Sequence, residues 1–447
     1  MNTHKRKQGI LFSLVASIVL SLAPIGCIDL PANTGYEYVV ITTEHTANHS
    51  LQLDAFVTHK RNRGVRVHVE TVESIEATYP DGERADKIRK WLQEHYQNWG
   101  IRFVLLIGSP DPYNPVLAAI EPLKEKVGTL PMKMTWPNGN DCPTDYYYAD
   151  LTGNWDLDED GLYGEFEELT DDGVDLEPEV LVGRIPSDNV DTIDSILCKF
   201  MLYDNDSDLP VSESQEATTT WRRNILLANS WPMPNIDGSY LGKAIQTVAL
   251  EEGYPCTTLY QQENVSTGNS DIAANSFFES DIDLVEGAVA TQWSSRHFGL
   301  VGLSGHGNDL AMKIGNRGTG WSGDMLHVDE VGSLDDRHPS FVILGACSTA
   351  KPETENNLAH GLMANGSIAT IAATRVTSGG PVSSYVNSNT PAGFVYGISE
   401  RMIQDRVSFG AALYDFKRGL SCPRGAQLQN LFAFNLYGDP AMRLRVP

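Results

Sequence analysis

The apolar and polar positions of this chain fall into two alternating periods, and the alternation predicts an α/β protein. Residues 36–43 are aromatic and β-branched, a strand signal. Residues 49–63 set Leu53, Phe56 and Val57 at helical spacing, with Gly64 beyond them as a C-cap. Residues 65–72 alternate strictly, as a half-buried strand does. Residues 81–99 gather Ile88, Trp91, Leu92 and Tyr96 on one helical face before Gly100, and residues 103–107 are an apolar run ending at Gly108. Strand, helix, strand, helix and strand in this order imply parallel strands with right-handed crossovers. A loop rich in Pro and Gly, an acidic segment, a strand at 180–182 and a helix at 189–203 complete the first half.

Residues 204–220 are polar and without periodicity, so a linker is placed at 206–221. It divides an N-terminal subdomain, 36–205, from a second one, 222–447. The second half starts the pattern again, with strands at 224–228 and 256–260 around a helix at 239–251. Strands at 298–303, 341–344 and 367–374 follow, with helices at 358–364, 394–405 and 409–418. The expected fold class is α/β, built as two three-layer α/β/α subdomains with mostly parallel sheets.

Two strands of the second half end in reactive side chains. Residues 298–303 run into Ser304-Gly305-His306-Gly307, and residues 341–344 run into Gly345-Ala346-Cys347. Reactive groups of open α/β sheets sit at the carboxyl ends of strands. His306 and Cys347 are 41 positions apart, room for a crossover helix or long loop between neighbouring parallel strands. A thiol attacks as thiolate, and an adjacent imidazole takes its proton and returns it to the leaving amine. The N–H groups of Gly307 and Cys347, at the mouths of the two strands, are suited to an oxyanion site. Alone, a cysteine after an apolar run is more often core and a Gly-His-Gly more often a turn; their joint placement favours a cysteine protease. There is no His-Glu-x-x-His and no complete nucleophile elbow.

A second motif is Asp156-x-Asp158-x-Asp160-Gly161-Leu162 with Glu167 at the twelfth position. Carboxylates at 1, 3, 5 and 12, a turn glycine at 6 and the carbonyl of Leu162 at 7 are what a calcium loop requires. The flanks are not paired amphipathic helices, so this reads as structural Ca2+ outside the EF-hand fold. The bland alternative is a solvated acidic turn.

Composition refines the picture. Lys5-Arg6-Lys7 precedes the apolar stretch 9–25, and Gly26-Cys27 follows, so residues 1–26 read as a secretion signal of lipoprotein type. Cys27 would carry the lipid, with residues 27–35 as tether. Export, with the membrane reached through that anchor alone, is the expectation; the alternative is a secreted protein with Cys27 a spare cysteine. Without residues 1–26 the chain has 58 acidic and 30 basic residues, a net charge of −28. Such acidity argues against nucleic acid as a partner and fits a cationic substrate or calcium. Cys142, Cys198, Cys256 and Cys422 could form up to two disulfides, which leaves Cys347 unpaired.

The motif Leu303-Ser304-Gly305-His306-Gly307 followed by Leu344-Gly345-Ala346-Cys347 resembles the His-Gly and Ala-Cys pair of the gingipain-type cysteine peptidases, peptidase family C25. Thr144-Asp145-Tyr146-Tyr147-Tyr148, Val182-Gly183-Arg184-Ile185-Pro186 and Asn435-Leu436-Tyr437-Gly438-Asp439-Pro440 are collinear with it. The resemblance implies two α/β/α subdomains with a caspase-like catalytic one second. It also implies endopeptidase activity on protein or peptide substrates, His306 as general base and Cys347 as nucleophile. Arg-specific gingipains carry an aspartate a few residues before the strand ending in Gly-Arg; here that count reaches Asp175, with Asp171, Asp172 and Glu177 in the same segment. Asp175 is thus the candidate for an S1 pocket that selects Arg or Lys. The short stretch between Cys27 and the first strand leaves no room for the long gingipain propeptide. The rival readings are a surface adhesion module that keeps the fold without the activity, and a Cys-His transpeptidase.

Overall fold

The apolar runs become the strands of one large sheet. The computed structural model describes residues 35–112, 129–167, 170–171, 173–205, 220–233, 235–263, 275–315, 321–379, 388–420 and 426–444. The expected signal and Cys27 lie outside the described residues, as do Cys422 and most of the expected linker. No helix among the described residues is long and apolar enough to cross a membrane.

From the first half come β1 (Tyr38–Thr42), β2 (Val67–Thr71), β3 (Phe103–Ile107) and β4 (Leu181–Ile185). The second half supplies β5 (Ile225–Asn229), β6 (Cys256–Tyr260), β7 (Ile282–Asp283) and β8 (Leu300–Ser304). A small antiparallel unit follows, made of β9 (His306–Gly307), β10 (Ala311–Gly315) and β11 (Trp321–His327). Then come β12 (Ser340–Gly345), β13 (Ser367–Ala373) and β14 (Phe434–Gly438). The large sheet has the order β7-β6-β5-β8-β12-β13-β14-β4-β3-β1-β2.

All its pairings are parallel except β13 with β14, where Ala369 faces Gly438 and Ala373 faces Phe434. Each half of the chain therefore fills one block of the sheet, and β14, the last strand of the second half, runs against β13 and with the strands of the first half. The two blocks meet where Tyr437 of β14 pairs with Arg184 of β4. The two expected subdomains share one sheet, within the compact unit 35–447. The chain's last strand causes this: its buried residues close the second block and offer a parallel edge to the first.

Strands buried along their whole length, such as β8 and β12, need cover on both faces. Helices Leu53–Asn62, Val190–Asn205 and Leu358–Ala364 pack together as one group, and Ser239–Glu251, Pro391–Glu400 and Phe409–Arg418 as another. Local chemistry sets their ends. Gly100 takes φ 70° to close the helix Arg84–Trp99, and Ser408 caps the helix at Phe409 by accepting from Ala411 N–H.

Of the two connections expected from β8 to β12, a crossover helix or a long loop, the second is nearer to what forms. The hairpin β9–β10–β11 and a 3₁₀ turn at Val328–Ser333 fill the connection. The pairing itself is as read from sequence: β8 and β12 are parallel neighbours, with Leu300 facing Phe341 and Ser304 facing Gly345.

Candidate active site

In-register pairing brings the ends of β8 and β12 side by side. The N–H of Gly305 reaches the carbonyl of Gly345 at 3.3 Å. Gly307 then lies directly against the cysteine turn: a Cβ there would stand 2.7 Å from the Cys347 carbonyl oxygen and 2.9 Å from Ala346 Cβ. No larger residue fits this approach. Gly305 is equally tight, since a Cβ would meet Ser230 Oγ at 2.6 Å and the Lys313 carbonyl at 2.7 Å. The two glycines beside His306 are thus the reason its loop can close on Cys347.

His306 and Cys347 line one cavity of about 110 Å³, with Met233, Asp237, Ser304 and Thr377 among its walls. His306 is half-buried, and that burial holds its pKa below the ordinary 6.5, against the opposing effect of a backbone bond to Pro232. Proline has no N–H, so the imidazole donates to the Pro232 carbonyl. That bond sets the tautomer and leaves the second ring nitrogen unprotonated at neutral pH, as a general base needs.

Cys347 Sγ receives the N–H of Thr377 at 3.3 Å and lies 3.4 Å from its hydroxyl. The next residue, Ser348, takes φ 56°, a left-handed conformation costly for a side chain. It is held there by its N–H bond to the Arg375 carbonyl at 2.9 Å. The Arg375 side chain is fixed in turn by Asp141 and Glu353. The segment after β13 therefore positions Cys347. The N–H of Cys347 donates to no other described residue, so it is available to a developing oxyanion.

Asp175 is not brought into this cavity. Its carboxylate accepts from Thr152 Oγ1 at 2.9 Å and from the N–H of Glu177 at 2.9 Å. It precedes β4, which lies three strands from β12, a lateral offset of roughly 14 Å. The acid that does line the cavity is Asp237, in the loop after β5, next to the histidine strand. It is 8% exposed and accepts from Ser239 N–H, Ser276 Oγ and Phe277 N–H at 2.9, 2.9 and 2.6 Å. Sequence reasoning missed Asp237, Thr377 and Pro232. A signal existed for all three, because each follows the carboxyl end of a strand of the second block.

The carboxylates of Asp156, Asp158 and Asp160 each offer an oxygen within 4.8 Å of the others. Backbone N–H groups of Gly161 and Leu162 bond Asp156 and Asp160, and Glu159 and Gly161 take φ 62° and 86° to turn the loop. Glu167 lies in the short strand Phe166–Glu167, and its side chain is outside the described residues. Three like charges this close repel unless a cation sits among them, and oxygen donors suit a hard one.

This loop is tied to the active site. Buried Trp155 packs against Phe432, with ring centroids 5.0 Å apart, in the helix Ala426–Ala433. On the same helix Asn430 bonds both backbone groups of Ser378 at 2.8 Å, one residue from Thr377.

Cys142, Cys198 and Cys256 stand as free thiols, so the disulfides open in the sequence do not form among them. Burial pushes the thiols of Cys142 and Cys256 up to about 12, which leaves them protonated and inert.

The model of peptidase family C25 matches residues 31–445, nearly the whole chain. A search of curated proteins finds no match.

Proposed function

The chain belongs to peptidase family C25, which makes it a cysteine peptidase acting on protein or peptide substrates, and on that premise we propose that Cys347 is its nucleophile and His306 its general base. The observation that supports this most is the close approach at Gly307, which puts both side chains on one small cavity. In the acylation step the Cys347 thiol passes its proton to His306, and Sγ bonds to the scissile carbonyl carbon. The N–H groups of Cys347 and Gly307 face the oxyanion that forms. The C–N bond then breaks, His306 returns the proton to the departing amine, and a thioester remains. Water attacks it with His306 again as base, which releases the acid and restores the thiol.

We propose cleavage after Arg or Lys, with Asp237 rather than Asp175 as the selecting acid. A buried carboxylate on the cavity wall favours a cationic side chain, and losing one partner of such a pair costs about 2–5 kcal/mol. Fluorogenic peptides ending in Arg, Lys, Asp or Leu test the reading. Asp237→Asn should lower kcat/KM for Arg and Lys by roughly 10²- to 10³-fold, and leave alkylation of Cys347 by iodoacetamide unchanged. Efficient cleavage after Asp or Leu alone would remove Asp237 from this role.

Calcium at Asp156, Asp158 and Asp160 is part of the same proposal, with the Leu162 carbonyl and Glu167 completing the ligands. Its support is the convergence of the three carboxylates and their path through Trp155 and Asn430 to Thr377. Saturating calcium at 100 times its Kd should stabilise the chain by about 2.7 kcal/mol. A thermal melt with and without a chelator reads this. Asp158→Ala should abolish the calcium-dependent shift; a shift that survives the substitution would place the ion elsewhere.

A further inference from the structure

At the opposite ends of the two dyad strands lies a second cluster. His297 stands just before β8, and Asp335 and His338 lie in the turn that leads into β12. One donor atom from each lies within 4.8 Å of the other two. His338 Nδ1 is 2.8 Å from Asp335 Oδ2, and the two imidazoles stack with centroids 3.8 Å apart. All three residues are half-buried, and Trp221 stands edge-on to His338 at 5.3 Å.

We propose that His297, Asp335 and His338 form a transition-metal site of the zinc type, separate from the calcium loop and from the catalytic dyad. Two imidazole nitrogens and one carboxylate oxygen are a borderline donor set. It suits Zn2+ or Co2+ and is wrong for calcium, which takes oxygen. At Zn–N and Zn–O distances near 2.1 Å, tetrahedral ligand atoms lie roughly 3.4 Å apart, so the donors close in by about 1.5 Å at most. Stacked rings cannot aim their in-plane lone pairs at one ion, so His297 turns its ring out of the stack on binding.

The other groups facing the cluster permit this. Arg337 bonds Asp335 at 3.1 and 3.3 Å, but its side chain is 86% exposed, and an incoming metal displaces it into water. With three protein ligands, a fourth position falls to water.

The site bridges the head of β8 to the head of β12. Those strands pair residue for residue from Leu300–Phe341 to Ser304–Gly345 and deliver His306 and Cys347 at their far ends. A metal there fixes the longitudinal register of the dyad strands from roughly 17 Å away.

Cobalt is the probe, added to the full chain carrying Cys347→Ala so that no active-site thiolate competes, with calcium saturating the acidic loop. Equilibrium dialysis should find one Co2+ per chain, with visible bands of nitrogen and oxygen ligation and no sulfur charge-transfer band. His297→Ala and His338→Ala should each weaken binding by at least about 100-fold, while Arg337→Ala leaves it equal or tighter. Melts in the absence of metal identify any variant that fails to fold; Asp335→Asn then serves in its place, with the same loss expected. Absence of binding in the parent, or binding unchanged by loss of both histidines, would overturn the proposal.

Discussion

Cys347→Ala should lower kcat for the best peptide by about four orders of magnitude or more, with the fold intact. The loss is large because no other group can form the thioester. The fold survives because Sγ, in a part-buried residue, bonds among the described residues only the backbone and hydroxyl of Thr377, which lies outside the strands. His306→Ala should cost a similar factor, and the double variant little more, since nucleophile and base act as a unit. The same chemistry predicts selective labelling. Iodoacetamide should modify Cys347 first, while Cys142 and Cys256, held protonated by burial, react slowly. Peptide mass analysis after brief alkylation reads this directly. A Cys347→Ala chain that keeps a tenth of the parent rate would end the assignment of the nucleophile.

The parts of this site legible in the sequence are those written in local pattern. The apolar runs before Ser304 and Gly345 carry the strand signal, and both strands form as expected. The helices Ser239–Glu251, Leu358–Ala364 and Phe409–Arg418 begin and end where periodicity and flanking residues place them. The spacing of Asp156, Asp158 and Asp160 is likewise local, and the three carboxylates do converge.

Lateral order is a different matter. Nothing in the local pattern of residues 434–438 says that this strand runs antiparallel to β13 and parallel to β4. Its pairing with β4 joins the two halves, and its pairing with β13 sets the first half antiparallel to the rest of the second. Asp175 failed as a pocket residue for this reason. The count from Gly183-Arg184 runs along the chain, whereas the cavity is defined across the sheet, three strands away. Asp237 follows the strand that pairs with the histidine strand and lines the cavity, although no motif in the sequence marks it.

The motif that carried the Asp175 count has another use, and it leads to the largest expected effect on stability. Arg184 is fully buried, and its guanidinium bonds both oxygens of Asp145, at 2.8 and 2.5 Å. Its remaining nitrogen donates to the carbonyls of Gly108 and Leu130 at 3.2 and 2.6 Å. Asp145 is anchored from the other block, because its N–H donates to Asn435 Oδ1 at 2.9 Å. The ion pair thus sits where β4 meets β14 and locks the two blocks together. Arg184→Met removes the cation, leaving a buried carboxylate and two carbonyls without a donor, a loss of about 3–5 kcal/mol. A lowered midpoint in urea with unchanged slope would register it. Arg184→Met combined with Asp145→Asn should lose less than Arg184→Met alone, since the uncompensated charge is gone. If the single substitution cost under about 1 kcal/mol, the junction would be held by the apolar faces of β4 and β14, and the pair would be incidental to it.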